Sequence, residues 1–414
     1  KNGIACMWVC FLFSIIAAAS VLPSDPAFSF KGRWSTAGDS RRADFPCAGL
    51  TFGVNATSPK PQLTVQWYGL RTRIRLQVEQ VLPSGKQISV EDTILNGPAV
   101  ELVPHTQPLT HQLAISAPGV FNVQIRKLTS AQPYAPGLGG ELLKASVFHW
   151  LGVDVAAPSQ DQLFAVRPRG PVRRIESIGA SDTAGYCVDG LANSSEILDV
   201  VEGWKYFNCD AAYPGELGRQ LQADVNVEAI AGIGLVQNAN ARFKWEMGNL
   251  TMKDYFNFEL QSVKNAWNFS RFGPDLVTIS LGGNDYNHQH GSAPSNATFT
   301  AAYSALLQHV FRVYSYAPNP PVVVAVCGMG SPVEQKQDPD NNRCRPCPHV
   351  ETAVAAFVSQ HKSSGLRVEY VFVPCDGSVV TGVGDIGCVG HKNRIGQKKV
   401  ADFLGPKLKA IMGW

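Results

Sequence analysis

The sequence predicts two domains: a small antiparallel β-sandwich, and after it an α/β domain whose parallel sheet lies between two helical layers. The 414 residues are more than one core usually organises. Apolar and polar residues alternate singly over 28–155, whereas from 172 to 414 continuous apolar runs alternate with helical stretches. The segment 156–171, rich in proline and polar residues, separates the two patterns and is predicted to be a linker.

The apolar run Met7–Leu22 predicts a secretory signal peptide, which we assign to residues 1–22. The run ends in small residues, and the predicted cleavage zone is Ala17–Ser20. A membrane anchor is the alternative, but the run is short for the roughly 20 residues that cross a bilayer. We therefore expect a secreted protein with no stable membrane association once the signal is removed.

Cysteines and glycosylation sequons fit an extracellular location. Eight of the ten cysteines follow the predicted signal, and this even number suggests disulfides. Cys344 and Cys347 form a C-x-x-C pair without further metal ligands at suitable spacing, and we expect neither a metal nor an organic cofactor. Five N-x-S/T sequons begin at Asn55, Asn193, Asn249, Asn268 and Asn296.

The charge of the chain argues against a nucleic-acid partner. The formal net charge is only +3, and no block of basic residues is present. The hydrophobic content of 45% is sufficient for well-packed cores.

The first predicted domain, residues 28–155, has the period of two that is typical of strands with one buried face. Ile74, Leu76 and Val78 alternate with polar residues, and the runs 63–67 and 121–125 repeat this pattern. No acid–base pair in this domain resembles a catalytic set, so we expect it to serve packing or carbohydrate contact.

The second predicted domain, residues 172–414, alternates buried strands with helices, which implies a parallel sheet covered on both faces. Ligands bind such sheets at the carboxyl ends of the strands. Ser181, Gly232 and Asn284 all come just after predicted strands, so we expect them to face one crevice. The predicted strands are Val172–Ile178, Val225–Ala231, Leu276–Leu281, Val322–Cys327 and Val368–Val373. The predicted helices are Ala212–Gln222, Tyr255–Trp267, Thr300–Tyr314, His349–His361 and Ile395–Met412.

These side chains suit acyl transfer to a serine. Ser181 can act as the nucleophile, and His391, in a glycine-rich loop before the last helix, can act as its base. The backbone N–H groups of Ser181 and Gly232 and the side-chain amide of Asn284 can donate to the oxyanion of the tetrahedral intermediate. Each motif alone is weak, but their order and their positions at strand ends agree.

From about Phe28 to the C-terminus, the chain resembles the SGNH (GDSL-type) hydrolases, and more narrowly carbohydrate esterase family 2. The matching blocks are Phe30–Arg33, Arg173–Ser181, Ala211–Pro214, Ala231–Leu235, Trp267–Val277, Leu281–Tyr286 and Gly387–His391. The resemblance implies a jelly-roll domain joined to a three-layer α/β/α SGNH domain that removes acetyl groups from polysaccharides. It implies the same roles for Ser181, Gly232, Asn284 and His391. We expect a monomer that acts on acetylated polysaccharide or oligosaccharide.

Departures from the family pattern leave the third catalytic member open. Ala180 stands where the family has Asp before the nucleophile, and Cys388 and Val389 occupy the positions of the family's helper acid. We favour a Ser–His dyad in which a backbone carbonyl holds the imidazole of His391. Asp385 is the alternative acid.

Two further expectations concern neighbours of the site. Cys388 is predicted to form a disulfide with Cys327 or Cys375, because both lie at predicted strand ends. Tyr286 directly follows the Asn-Asp pair and is predicted to line the acyl or sugar site.

Two other functions stay open. The protein could be a catalytically weak or inactive carbohydrate-binding protein on an esterase scaffold, which Ala180 and the missing helper acid favour. It could also be a lipase, thioesterase or acyltransferase that uses the same nucleophile.

Overall fold

The computed structural model describes residues 19–99, 108–130, 146–156, 160–166, 172–191, 203–239, 250–287, 292–332 and 343–414. Most of the predicted signal peptide, part of the predicted linker and the sequons at Asn193 and Asn249 lie outside these ranges.

Within the described residues, the N-terminal domain consists of two six-stranded antiparallel sheets. The first sheet contains β1 (Ala19–Val21), β3 (Ser35–Ala37), β4 (Ser40–Ala43), β6 (Leu63–Tyr68), β9 (Leu109–Gln112) and β11 (Phe148–Val155). The second contains β2 (Ser29–Lys31), β5 (Gly49–Ala56), β7 (Arg73–Val81), β8 (Gln87–Asn96), β10 (Gly119–Lys127) and β12 (Gln162–Phe164). The strand orders are β3–β4–β11–β6–β9, with β1 on β11, and β12–β5–β10–β7–β8, with β2 on β5.

The core of the sandwich lies between the inner faces of these sheets. Leu76 and Val78 of β7 are fully buried and pair with Ile125 and Val123 of β10, so the predicted period of two is confirmed. Aromatic side chains fill the middle of the core in edge-to-face contacts, which suit the quadrupoles of the rings. The pairs Phe28–Trp150 and Trp34–Phe148 have centroids 5.5 Å and 5.7 Å apart.

The C-terminal domain is built on a five-stranded parallel sheet in the order β14–β13–β15–β16–β17. Its strands are β13 (Arg173–Gly179), β14 (Ala223–Ala229), β15 (Leu276–Ser280), β16 (Val322–Gly328) and β17 (Val368–Val373). The five predicted strands are confirmed, with ends that differ by at most two residues. The chain order reverses between β13 and β15, the position where open α/β sheets bind ligands.

Helices cover both faces of this sheet. They are α1 (Ser181–Ala184), α2 (Tyr213–Leu221), α3 (Met252–Tyr255), α4 (Asn296–Val313), α5 (Cys347–Gln360) and α6 (Arg394–Met412). One apolar cluster joins α2 and α6 to the sheet, and a second joins α4 and α5 to its other face. The predicted fold class, a three-layer α/β/α domain after a β-sandwich, is therefore confirmed. In the ranges given above, no helix is both long and apolar enough to cross a bilayer.

The predicted helix Tyr255–Trp267 is wrong, because only a single turn, α3, forms at its start. A longer helix would use the carbonyls of Phe256 and Phe258 to accept N–H groups four residues later. Both carbonyls instead accept from Nη1 of Arg33, each at 2.7 Å. The guanidinium of the other domain thus replaces the helical hydrogen bonds.

Asp44 of the sandwich domain takes two backbone donors that a longer helix would also use. Its carboxylate accepts the backbone N–H groups of Gln261 and Ser262 at 2.8 Å and 2.7 Å. The helical pattern of this segment is therefore overruled by contacts with the sandwich domain.

Arg33 itself lies fully buried between the domains. Its Nη2 donates to Glu176 Oε1 at 3.4 Å. Its Nε lies 3.0 Å from Glu228 Oε1, and this second ion pair lacks the alignment of a hydrogen bond. Tyr314 donates to the other oxygen of Glu176 at 2.5 Å. Four aromatic rings surround the guanidinium at 5.1 to 5.6 Å, those of Phe45, Phe256, Trp267 and Phe269.

One cation faces two carboxylates in this cluster. Burial raises the pKa of Glu228 to about 8; the positive charge of Arg33 opposes the rise and the negative charge of Glu176 adds to it. At neutral pH the folded protein therefore holds a proton that the unfolded chain would release, since an unperturbed Glu has a pKa of 4.5.

We expect this proton to make stability depend on pH. The stabilisation that this proton gives is fully present below about pH 4.5. It is lost as the pH rises from there through about 8, because over this range the folded state keeps a proton that the unfolded state has released. In Glu228→Gln the group stays neutral throughout. In urea unfolding with disulfides intact, the free energy of unfolding of Glu228→Gln should therefore gain on the wild type by on the order of 3 kcal/mol from pH 5 to pH 8.

Glu351→Gln serves as the control, because Glu351 is exposed on α5. Its unfolding free energy should run parallel to that of the wild type over the same pH range. If the unfolding free energy of Glu228→Gln also ran parallel to that of the wild type, Glu228 would not hold the extra proton.

Candidate active site

Ser181 lies at the sharp turn between β13 and α1. It opens α1, so its backbone N–H has no acceptor within the helix. The turn requires glycine two residues earlier, because a Cβ on Gly179 would lie 2.0 Å from Thr183 Oγ1. Thr183 is fixed in turn by a 2.9 Å hydrogen bond to the hydroxyl of Tyr213. The Gly-x-Ser motif is thus a steric requirement of this turn.

His391 meets Ser181 from a loop at the other end of the domain. Its Nε2 lies 2.8 Å from Ser181 Oγ, although the residues are 210 positions apart. Its Nδ1 lies 2.9 Å from the carbonyl oxygen of Val389. A carbonyl can only accept, so Nδ1 carries the proton and Nε2 is left to accept the serine proton. The imidazole is therefore in the tautomer that a general base needs.

The carbonyl that orients His391 belongs to a strained residue. Val389 has φ 50° and ψ 40°, in the left-handed region that β-branched residues avoid. Two backbone hydrogen bonds close the turn around it, Gly387 N to His391 O at 2.6 Å and His391 N to Cys388 O at 3.0 Å. Such strain is typical of functional loops, and here it aims a carbonyl at the imidazole.

The structure does not bring Asp385 to His391. Lys399 Nζ donates to both oxygens of the Asp385 carboxylate, at 2.8 Å and 2.9 Å. Thr381 donates its N–H and its hydroxyl to Oδ2. Burial raises the pKa of this carboxyl, but the bonds from Lys399 and Thr381 outweigh burial and leave it below its usual value. Asp385 therefore anchors the base of the His391 loop.

The two remaining predicted donors follow β14 and β15, the strands on either side of β13. Asn284 begins a short 3-10 turn after β15, and its Nδ2 donates to Ile233 O at 2.7 Å. Gly232 follows β14 with a φ of 80°, a conformation that favours glycine. A side-chain amide has two N–H groups, so one can hold this loop while the other donates to an oxyanion.

Asp285 locks these two elements together, a role that the sequence did not reveal. Its buried carboxylate accepts the backbone N–H groups of Leu235, Val236 and Gln237 at 2.6 to 3.1 Å. Burial raises the pKa of Asp285 to about 6, against the lowering effect of these N–H groups. The second Asp of the Asn-Asp pair therefore fixes the loop after Gly232 beside Asn284.

Tyr286 is buried, with 3% of its surface exposed. Its ring stacks on His349 with centroids 6.0 Å apart and contacts Phe299 edge-on at 5.3 Å. The guanidinium of Arg345 lies 5.3 Å above the ring. That Tyr286 lines the acyl or sugar site stays a prediction.

Within the described chain, four disulfides pair all eight cysteines, but the predicted partner of Cys388 is wrong. Cys388 is bonded to Cys187, whereas Cys327 pairs with Cys347 and Cys344 with Cys375; Cys47 pairs with Cys209. The C-x-x-C sulfurs are thus not free to bind a metal as thiolates. The sequence positions could have indicated the correct pair. Cys187 closely follows Ser181, and Cys388 closely precedes His391, so a contact between the serine and histidine side chains brings these two cysteines near each other.

Tyr186 is a further neighbour that the sequence argument missed. Its ring stands edge-on to the imidazole of His391, with centroids 4.8 Å apart and an interplanar angle of 81°. Phe207 supports the ring from another side at 5.0 Å. Tyr186 therefore forms one wall of the pocket that holds the imidazole.

Comparison with known proteins agrees with this architecture. Residues 177–361 match the sequence model of the GDSL-like Lipase/Acylhydrolase family. The cellulase/esterase CelE of Acetivibrio thermocellus is 31% identical over 251 residues, which are 60% of this chain and 26% of that protein. An acetylxylan esterase / glucomannan deacetylase of Cellvibrio japonicus is 24% identical over 147 residues, 35% of this chain and 37% of its own length.

A solved structure shares the whole fold. The family two carbohydrate esterase from Clostridium thermocellum in complex with cellohexaose superposes with a TM-score of 0.68 and 21% identity, over 94% of this chain and 99% of that one. The chain spans between about a quarter and two fifths of the length of the curated relatives it matches. The resemblance to the SGNH (GDSL-type) hydrolases is therefore confirmed: residues 177–361 match the GDSL-like family model, and the chain shares the fold of a solved family two carbohydrate esterase.

Proposed function

We propose that the protein is a secreted serine esterase that removes O-acetyl groups from polysaccharides. The observation that carries the proposal is the 2.8 Å contact between Ser181 Oγ and His391 Nε2. Gly232 and Asn284 follow β14 and β15, the two strands that flank the strand before Ser181. The names of the curated relatives, a cellulase/esterase and an acetylxylan esterase / glucomannan deacetylase, support the acetyl group and the polymer as its substrate.

The first half of the proposed reaction forms an acetyl-enzyme. Ser181 Oγ bonds to the ester carbonyl carbon while its proton passes to His391 Nε2. The resulting oxyanion accepts hydrogen bonds from the N–H groups of Ser181 and Gly232 and from the amide of Asn284. The bond between the carbonyl carbon and the sugar oxygen then breaks, and His391 gives its proton to that oxygen.

The second half regenerates the serine. A water molecule attacks the acetyl carbonyl as His391 takes one of its protons, and the oxyanion forms in the same place. The bond to Ser181 Oγ breaks, the serine recovers the proton from His391, and acetate leaves. The carbonyl of Val389 holds the ring throughout by its contact with Nδ1, so we propose a dyad and no helper acid.

Location and partner follow from the same proposal. The four disulfides of the described chain support an oxidising, extracellular location. The cellohexaose in the related solved structure supports a carbohydrate polymer as the substrate. We propose that the protein acts there as a monomer.

A carbohydrate-binding protein is the second candidate function. The related esterase is solved in complex with cellohexaose, a sugar chain that carries no acetyl ester, so this fold can hold a carbohydrate that it does not hydrolyse as an ester. Ala180 before the nucleophile and the engagement of Asp385 with Lys399 favour this reading.

Hydrolysis of 4-nitrophenyl acetate separates the two candidates. We expect clear turnover by the wild-type protein and a loss of at least about 1,000-fold in kcat for both Ser181→Ala and His391→Ala, because each removes one half of the dyad. Release of 4-nitrophenolate is followed by absorbance. A folded wild-type protein that turned over no ester would leave the binding function as the better reading.

The Asp385→Asn variant tests the dyad. Because Asp385 bonds to Lys399 and Thr381 rather than to the imidazole, we expect kcat/KM to fall by less than about tenfold. Replacing a true orienting acid can cost roughly 10,000-fold. A loss of that size in correctly folded Asp385→Asn would restore Asp385 to the catalytic set.

The Asn284→Ala variant tests the oxyanion site. Loss of one donor typically lowers kcat by about 100- to 1,000-fold, and we expect that loss with little change in KM. The exposed Asn265 gives a matched control, and Asn265→Ala should keep the wild-type kcat. Equal activities of the two variants would remove Asn284 from the oxyanion site.

A further inference from the structure

The chain neighbours of the proposed nucleophile and base are themselves paired. Asp182 directly follows Ser181, and Lys392 directly follows His391. Lys392 Nζ lies 3.2 Å from Asp182 Oδ2, while one residue earlier in each segment the serine and histidine lie 2.8 Å apart. Two consecutive residues of α1 therefore contact two consecutive residues of the histidine loop.

The pair lies away from solvent. The side chain of Lys392 is fully buried, and that of Asp182 is 11% exposed. Arg343 makes a second ion pair with the same carboxylate oxygen, Oδ2. Within the part of the chain that is described, the other oxygen, Oδ1, is buried without a hydrogen-bond partner. Removing charges from water in this way is costly unless they stay paired, so each member constrains the others.

The carboxyl of Asp182 stays ionised in this setting. Burial raises its pKa, but the positive charges of Arg343 and Lys392 outweigh burial and hold the pKa well below its usual range. The ammonium of Lys392 thus always has an anion to meet at neutral pH.

A family helper acid would orient the histidine through Nδ1, but here Nδ1 is occupied by the carbonyl of Val389. That carbonyl belongs to the same loop, so it cannot fix the loop against the serine. The disulfide Cys187–Cys388 and the hydrogen bond from Arg394 N to Val188 O tie the loop to the segment after α1, at positions 187 and 188. A contact on the nucleophile turn itself would hold the imidazole in line with Ser181 Oγ more directly.

We propose that the buried ion pair between Asp182 and Lys392 makes this contact at the nucleophile turn and acts as a positioning device for the Ser181–His391 hydrogen bond. The inference rests on the function proposed above. In this proposal the pair acts through the position of the loop and not on the ester. Successive residues of a helix point about 100° apart, so the two contacts act in different directions and together fix the loop's orientation.

The test compares Lys392→Met with Lys399→Met. Both remove a lysine that pairs with an aspartate and holds the histidine loop, but Lys399 pairs with Asp385, which has no link to the nucleophile turn. We expect Lys392→Met to lower kcat on 4-nitrophenyl acetate about 10- to 100-fold with KM within about threefold, since small misplacements of a base are that costly. Lys399→Met should stay within about threefold of the wild type.

A second readout does not need turnover. The ¹⁵N chemical shifts of the imidazole report which ring nitrogen carries the proton. In the wild type the proton of His391 should reside on Nδ1, whereas in Lys392→Met the two nitrogens should move toward averaged shifts as the ring is released. A wild-type kcat or an unchanged tautomer in folded Lys392→Met would overturn the proposal, and so would an equal loss in Lys399→Met.

Two further outcomes are distinguishable. If Lys392→Met does not fold, the double variant Asp182→Asn/Lys392→Met leaves no unpaired lysine, and it should lose about 10- to 100-fold in kcat because the contact is gone. A folded double variant with wild-type kcat would overturn the proposal. If the wild type turned over no ester while the tautomer of His391 still depended on Lys392, the proposed function would fall and the positioning role would stand.

Discussion

The buried guanidinium of Arg33 is the interaction on which the arrangement of the two domains depends. A charge can lie out of water only when it is paired and its donors are satisfied. Here Glu176 supplies counter-charge, Glu228 lies 3.0 Å from Nε, and the carbonyls of Phe256 and Phe258 accept from Nη1. Separating the domains would expose or strand these groups together. The sandwich and the α/β domain therefore form one structural unit across this interface.

The residues that pair with Arg33 lie on the strands that lead to the proposed active site. Glu176 lies on β13, the strand that ends just before Ser181, and Glu228 lies on β14, the strand that ends just before Gly232. Both strands are short and hydrogen-bonded along their length. Packing at the interface and the placement of two proposed oxyanion donors are therefore properties of the same two elements. Asp285 then ties the third proposed donor, on Asn284, to the loop after β14.

His391 is positioned differently, because it lies in a loop and not at the end of a strand. Its loop lies between β17 and α6 and contains a strained residue, Val389. Several ties from outside the loop compensate: the disulfide Cys187–Cys388, the pairing of Asp385 with Lys399, and the ion pair of Lys392 with Asp182. A site built this way needs no carboxylate on the imidazole to be ordered, which is consistent with a dyad.

The sequence by itself determined the fold class, the five parallel strands and the contact of Ser181 with His391, because apolar periodicity and residues at strand ends are local signals that report burial and direction. Tertiary structure alone decided the loss of the helix predicted at Tyr255–Trp267, the partner of Cys388 and the partner of Asp385. In each case a carbonyl, a thiol or a carboxylate could bond either to a nearby residue or to a distant segment. Its partner depended on distances that exist only once the domains and loops have packed together, and no local sequence pattern encodes those distances.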